Sequence, residues 1–337
     1  MCSNYINKEF CASLIDKKVY IWGAWERGRF IQCELLKYGI DIEGYIDSDK
    51  KKERYGVPEK KVSIPIILQE KECFVIVSLA EHDSVYNLLE QYGYKEYRDY
   101  IYPAKDIQLS NIKHNYLDFY GNRIEGNIDK ANVTIGGSSE LIIGKNVKIA
   151  DGVEINVGWN SKVIIKDNAS IDKNVSISAL ENSYIEIGKK TQISSGGHFR
   201  ATGGSFISFG DKCRLGMSLI LRLDHNARFV CGEDCLFSYD IKIRANQGHS
   251  IFDLANNKVM QDPNFSKIGN HVWIGMGVSI LPGADIGDHC IIGAESMVNK
   301  KFEGYQTIAG IPAKVIREQT DWTYEVQSYE EYIKSVK

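Results

Sequence analysis

Several features are missing from these 337 residues, and each absence narrows the problem. No stretch approaches 18 consecutive apolar residues, and the N-terminus lacks a basic-then-apolar signal segment. A soluble cytoplasmic protein without a membrane span is therefore expected. The net charge is -3, so no basic excess points to nucleic acid as a partner. The eight cysteines contain no CxxC pair. Widely spaced as they are, they read as small buried hydrophobes in a reducing compartment, not as a disulfide framework or a metal site.

What is present in quantity is a repeat. Residues 268–298 divide into sixes: IGNHVW, IGMGVS, ILPGAD, IGDHCI, IGAESM, then Val298. An aliphatic residue recurs at Ile268, Ile274, Ile280, Ile286, Ile292 and Val298. A period of six fits neither a helix nor an ordinary strand. It fits a short strand plus a tight turn, three of which make one triangular coil of a parallel β-helix. The aliphatic residue should point inward, and the following Gly should supply the turn conformation at each corner. Upstream the period lengthens to 22. Blocks start at Ile143, Ile165, Ile187, Phe209 and Cys231, with in-phase apolar residues at their seventh and thirteenth places. Each reads as a coil of three six-residue sides with a four-residue extension at one corner. A degenerate earlier coil is expected near Val133, Ile135 and Leu141.

The 43% hydrophobic content suffices for real cores, and the length allows two or three domains. Residues 1–103 alternate strands (Lys18 to Trp22, Ile42 to Ile46, Phe74 to Ser78) with helical stretches, the pattern of a small α/β parallel sheet. Gly23, Trp25 and Gly28 occupy the glycine places of a GxGxxG loop, with Asp47 where a ribose partner would stand. Trp25 obstructs the approach of a pyrophosphate. Nucleotide or nucleotide-sugar binding and a purely structural role both remain open. Residues 104–125 read as a linker, 126–318 as the β-helix, and 319–337 as a helical cap over an otherwise open coil.

Two resemblances carry the reading further. IWGAWERG and EGYIDSDKK resemble the Rossmann-like domain fused to sialic-acid and bacillosamine acyltransferases. The coils, with IGNHVWIG and AGIPAKVIRE, resemble the left-handed β-helix of the hexapeptide-repeat acyltransferases, and IRANQGHSIFD is most like the sugar O-acetyltransferases among them. That resemblance implies a homotrimer with acetyl-CoA in the cleft between chains and no metal. The absence of an HxxxxH pair argues against the related γ-type carbonic anhydrase metal site.

Acetyl transfer from a thioester to a sugar hydroxyl needs a base, an oxyanion donor and a cofactor groove. His249 is the candidate base, 24 residues before Trp273, with Asp253 to orient it. The resemblance implies that Trp273 packs on the pantetheine arm beside Gly275, and that the backbone N–H of Met276 holds the oxyanion. It also puts Ala294, Asn299 and Lys300 at the nucleotide end, with Lys314 and Arg317 at the phosphates. Arg244 and Asn246 are candidate acceptor contacts. His271 and His289 fall at coil corners and are expected to be solvated. His198 and His225 could approach a cleft, whereas His82 and His114 lie outside the β-helix. The expected reaction is O-acetylation of a sugar of a surface polysaccharide or its precursor. N-acetylation of a UDP-amino sugar and a non-catalytic trimeric scaffold are the alternatives.

Overall fold

A computed structural model describes residues 6, 8–24, 26–48, 61–63, 65, 68, 73–79, 83–96, 98–102, 107–109, 116–117, 122–260 and 263–336. Trp25, His82 and His114 lie outside these residues.

The N-terminal unit is a five-stranded parallel sheet. Its strands are β1 (Lys18–Trp22), β2 (Gly44–Ile46), β3 (Lys61–Ser63), β4 (Cys73–Val77) and β5 (Tyr100–Ile101), in the order β3-β2-β1-β4-β5. Both β1 and β4 are buried almost throughout, as parallel strands covered on two faces must be. Helices α1 (Lys8–Ala12), α2 (Glu26–Leu36) and α3 (Asp83–Gln91) accompany them. The expected α/β architecture is present, with the strand order reversing between β2 and β4 about the central β1.

The stretch read as a linker contributes structure of its own. Strands β6 (Ile107–Leu109) and β7 (Tyr116–Leu117) pair antiparallel with Ala131–Ile135 and Arg123–Glu125. They cover the first coil, whose strand edges would otherwise be open to another chain. The early coil is also as expected, with Val133, Ile135 and Leu141 all buried.

From there the chain winds as a parallel β-helix with three faces. On the first face Ile143, Ile165, Ile187, Phe209, Cys231, Ile268, Ile286 and Phe302 are Cα partners in register. On the second, Ile149, Ile171, Ile193, Leu215, Phe237, Ile274, Ile292 and Ile308 do the same. On the third, Ile155, Ile177, Phe199, Leu221, Ile243, Ile280 and Val298 follow. Up to Val298 these are the positions the two periods select, and Phe302 and Ile308 continue the ladders beyond the repeat. Almost all are fully buried in one continuous core, each worth about 1.5–3 kcal/mol of transfer free energy.

The glycines act differently from expectation. Gly144, Gly188, Gly210, Gly232, Gly269 and Gly287 do not have positive φ. A Cβ on Gly188 would stand 2.1 Å from the carbonyl oxygen of Gly210 in the next coil, and the others meet similar obstacles. They are glycines because stacked coils approach too closely for a side chain. The left-handed residue comes two places later, at Asn146, Asn168, Lys190, Lys212, Asp234, His271, His289 and Tyr305. Stacked, these residues form the first edge of the prism, between its first and second faces.

The second edge carries Met276 and Ala294, and the third carries the four-residue extensions. Residues 244–264 leave the third edge as a loop with a hairpin, Phe252–Asp253 against Lys258–Val259. At the far end Lys314–Glu318 pairs antiparallel with Gln306–Ala309 and closes the second face. Helix α4 (Tyr329–Val336) follows. Trp159, from the third edge, is buried in the core of the N-terminal unit and joins the two parts.

Candidate active site

His249 lies in the loop leaving the third edge, just after Gly248 at φ +75. Its imidazole is exposed and makes no hydrogen bond among the described residues. Among the described residues Asp253 makes no hydrogen bond to it. Its carboxylate accepts the amides of Ala255 and Asn256 and the side-chain amide of Asn256 at 2.7 Å. The Asn256 side chain, the largest influence, holds Asp253 below the usual carboxylate range. That is the work of a turn cap inside its own hairpin.

Arg244 is exposed at the end of the third face. Asn246, three residues before His249, is only 2% exposed and donates to the Asp224 carbonyl one coil below at 2.6 Å. Its Oδ1 is buried without a partner among the described residues. Asn246 therefore anchors the root of the His249 loop and does not offer itself to solvent.

The second face and edge supply the other half. Trp273 is 39% exposed, and its indole N–H points to Ser238 Oγ at 3.5 Å. Met276 is 48% exposed on the second edge. Its carbonyl accepts the Glu295 amide, but its own N–H donates to nothing among the described residues, whereas its neighbours Gly275 and Gly277 both donate to adjacent coils. A free amide on an outer edge is what an oxyanion needs. A Cβ on Gly275 would lie 2.6 Å from the Ala294 amide nitrogen, so this glycine is required by coil stacking. Ala294 stands exposed on the same edge, and Asn299 and Lys300 are exposed at the third. The Lys300 ammonium lies 5.3 Å from the Phe302 ring. Lys314 and Arg317 are exposed on the closing strand, outside the repeat proper.

The prism thus separates the candidate base from the candidate oxyanion donor. Met276 and His249 occupy different edges, with one face between them, on the order of 15 Å at the rise of a strand.

At the N-terminal loop Gly23 has φ +112, and a Cβ on Gly28 would meet the Gly23 carbonyl at 2.1 Å. These two positions need glycine for turn geometry and for helix–strand packing. Asp47 is 4% exposed and accepts the Ala24 amide at 3.2 Å, so its carboxylate is folded onto the loop itself.

Two further clusters escaped the sequence reading. Cys213, Cys231 and Cys235 bring their sulfurs within 4.8 Å of one another inside the core. Cys213 and Cys235 donate to the Gly232 and Gly269 carbonyls, each at 3.2 Å, as the Thr191 hydroxyl donates to Gly210 one coil below. Burial pushes the Cys231 thiol up. These cysteines are the expected small buried residues, with a corner hydrogen bond added.

The second cluster corrects the expectation for the corner histidines. His271 and His289 are paired, not solvated. His271 Nδ1 meets Asp234 at 2.8 Å and its Nε2 the Trp322 carbonyl at 2.9 Å, while His289 Nδ1 meets Asp321 at 3.2 Å. The segment after the repeat runs back along the first edge and the adjoining side of the second face. Trp322 stacks on His271 with centroids 4.4 Å apart, and Tyr305 on His289 at 4.5 Å. Tyr324 donates to the Asp234 carbonyl and stacks under Arg214. Trp322 also stands 6.1 Å from Trp273.

Comparison with known proteins agrees with this architecture. Residues 265–300 match the bacterial transferase hexapeptide model (six repeats). A polysialic acid O-acetyltransferase of Escherichia coli O1:K1 / APEC is 32% identical over 91 residues, 27% of this chain and 30% of that protein. Galactoside O-acetyltransferase of Escherichia coli K12 is 52% identical over 54 residues, 16% of this chain and 27% of that one. The matches span under a third of these curated relatives. The crystal structure of the polySia-specific acetyltransferase NeuO superposes with a TM-score of 0.54 at 26% identity, covering 60% of this chain and 87% of that one. Residues 265–300 thus match the transferase hexapeptide repeat, and these two curated relatives and this solved structure are acetyltransferases.

Proposed function

We propose that the protein is an acetyl-CoA-dependent O-acetyltransferase acting on a sugar of a surface polysaccharide or its precursor, assembled as a homotrimer in the cytoplasm. The carrying observation is a pair of groups without hydrogen-bond partners among the described residues, the His249 imidazole and the Met276 amide, on adjacent edges of the β-helix. A second chain packed against the first can bring its Met276 edge to the first chain's His249. The relatives' names, polysialic acid O-acetyltransferase, galactoside O-acetyltransferase and a putative lipopolysaccharide biosynthesis O-acetyl transferase of Escherichia coli K12, support the acceptor class.

In this reading His249 takes the proton of the acceptor hydroxyl as its oxygen attacks the thioester carbonyl. The oxyanion that forms is held by the Met276 N–H. Collapse breaks the C–S bond, and the imidazolium returns its proton to the departing thiolate. No covalent enzyme intermediate is needed. Trp273 offers an apolar wall to the pantetheine arm, and Lys314 and Arg317 offer cationic partners to the phosphates.

Acetyl transfer from radiolabelled acetyl-CoA to oligosaccharide acceptors, with UDP-amino sugars alongside, tests the proposal. His249→Ala should lower turnover on the order of 10²–10⁴-fold while leaving acetyl-CoA binding in place. Turnover equal to that of the unmodified protein would remove His249 from the reaction. Transfer confined to the amino sugars would replace O- by N-acetylation.

A further inference from the structure

The cluster on the first edge has no part in the proposed reaction, yet it brings two imidazoles and two carboxylates together. His271, His289 and Asp321 each bring one ring nitrogen or carboxylate oxygen within 4.8 Å of the others, and all three residues are partly buried. Asp321 Oδ1 is 3.2 Å from His289 Nδ1 and 3.8 Å from His271 Nε2. The Trp322 carbonyl oxygen is a fourth donor, 2.9 Å from His271 Nε2.

Hydrogen-bond capacity makes the arrangement unusual. A neutral imidazole has one N–H and one lone pair. His271 Nδ1 faces the Asp234 carboxylate and so keeps its N–H. Its Nε2 then turns a lone pair towards two oxygens that themselves only accept, the Trp322 carbonyl and Asp321. A cation among these four atoms converts the conflict into ligation.

The outer contacts fit as well. A ligating histidine usually gives its other N–H to a carboxylate, which fixes the tautomer and strengthens the ligand. Asp234 stands in that place. Asp321 Oδ2 in turn accepts the Tyr332 hydroxyl at 2.8 Å, which orients the carboxylate. Stacked rings of Trp322 and Tyr305 hold the two imidazoles from outside. Two imidazoles, one carboxylate and a carbonyl suit a borderline divalent ion of the Zn²⁺ type.

We propose that His271, His289, Asp321 and the Trp322 carbonyl form a structural divalent-cation site that staples residues 319–336 to the edge of the β-helix. It joins two consecutive coils to a segment that has no repeat of its own, and places Trp322 beside Trp273. Its consequence is order in that segment.

The test is titration of chelator-treated full-length protein with Co²⁺, then displacement by Zn²⁺. One Co²⁺ per chain with visible ligand-field bands, no thiolate-to-cobalt charge transfer, and protection of residues 319–336 from protease is the expected result. Asp234→Asn should weaken binding about 10–100-fold, and His289→Ala or Asp321→Asn more than that. Cys213→Ser should change nothing. Circular dichroism checks that each variant is folded. A thiolate charge-transfer band would move the ion to the cysteine cluster and overturn the proposal. No saturable binding, or an affinity equal to the parent's in Asp321→Asn and His289→Ala, would equally overturn it. None of these readouts depends on acetyl transfer.

Discussion

A glycine in a coil of this kind can be required for two unrelated reasons, and residues 152 and 188 separate them. Gly152 has φ +79 and nothing within 4 Å of a built Cβ. Its equivalent one coil later is Asn174 at φ 58. Asparagine tolerates the left-handed region, so Gly152→Asn should fall within about 0.5 kcal/mol of the parent. Gly188 has no positive φ, but its Cβ would collide with backbone atoms of Gly210. Gly188→Ala should therefore cost about 1–3 kcal/mol, because backbone cannot give way as a flexible side chain does. Urea midpoints for the two variants decide the matter, and equal losses would mean that stacking distance is not what selects glycine after the inward isoleucine. The sequence alone could not make this distinction. A period reveals that glycine recurs at a place, but whether it serves φ or proximity depends on where the next coil's backbone falls.

Coils are stacked one upon another, so an element's stability should spread to its neighbours and fade with distance. Phe209 is a good probe. Its ring lies 5.8 Å from Phe199, 5.3 Å from Phe229 and 5.8 Å from Phe237, an aromatic plug across the prism. Phe209→Ala should cost about 3–5 kcal/mol. In hydrogen exchange the amides of Ile187 and Cys231, its ladder partners, should lose most protection, and those of Ile143 and Val298 least. Uniform loss along the chain would mean that the helix opens as one unit. The ladder itself was legible, since inward residues at 143, 165, 187 and 209 follow from spacing alone and their Cα pairing follows from stacking. Strands β6 and β7 were not, because edge-covering strands of three and two residues carry no period. The pairing of His271 and His289 was hidden for a related reason. Their corners were placed correctly, but Asp321 and Trp322 belong to a segment whose return along the edge no repeat could announce.

At the scale of the whole molecule, the candidate site is divided between prism edges, and this division makes its own prediction. His249 was legible as a residue set before a loop that breaks the coil, and Met276 as the edge residue after Trp273. That they stand one face apart follows only from knowing which edge each occupies. If the base of one chain works on a thioester held by the Trp273–Met276 edge of its neighbour, defects in the two halves should complement. Chains carrying only His249→Ala and chains carrying only Trp273→Ala, co-expressed with different tags and purified as mixed assemblies, would form four kinds of junction. In each mixed assembly of the proposed trimer one junction of the three keeps His249 and Trp273 both intact, so mixing should restore about a third of the parent activity. A site confined to one chain predicts no gain, with activity at the mean of the two variants. The mixed assembly thus separates a shared cleft from a loop that folds back across its own face, and the outcome rests on transfer rates alone.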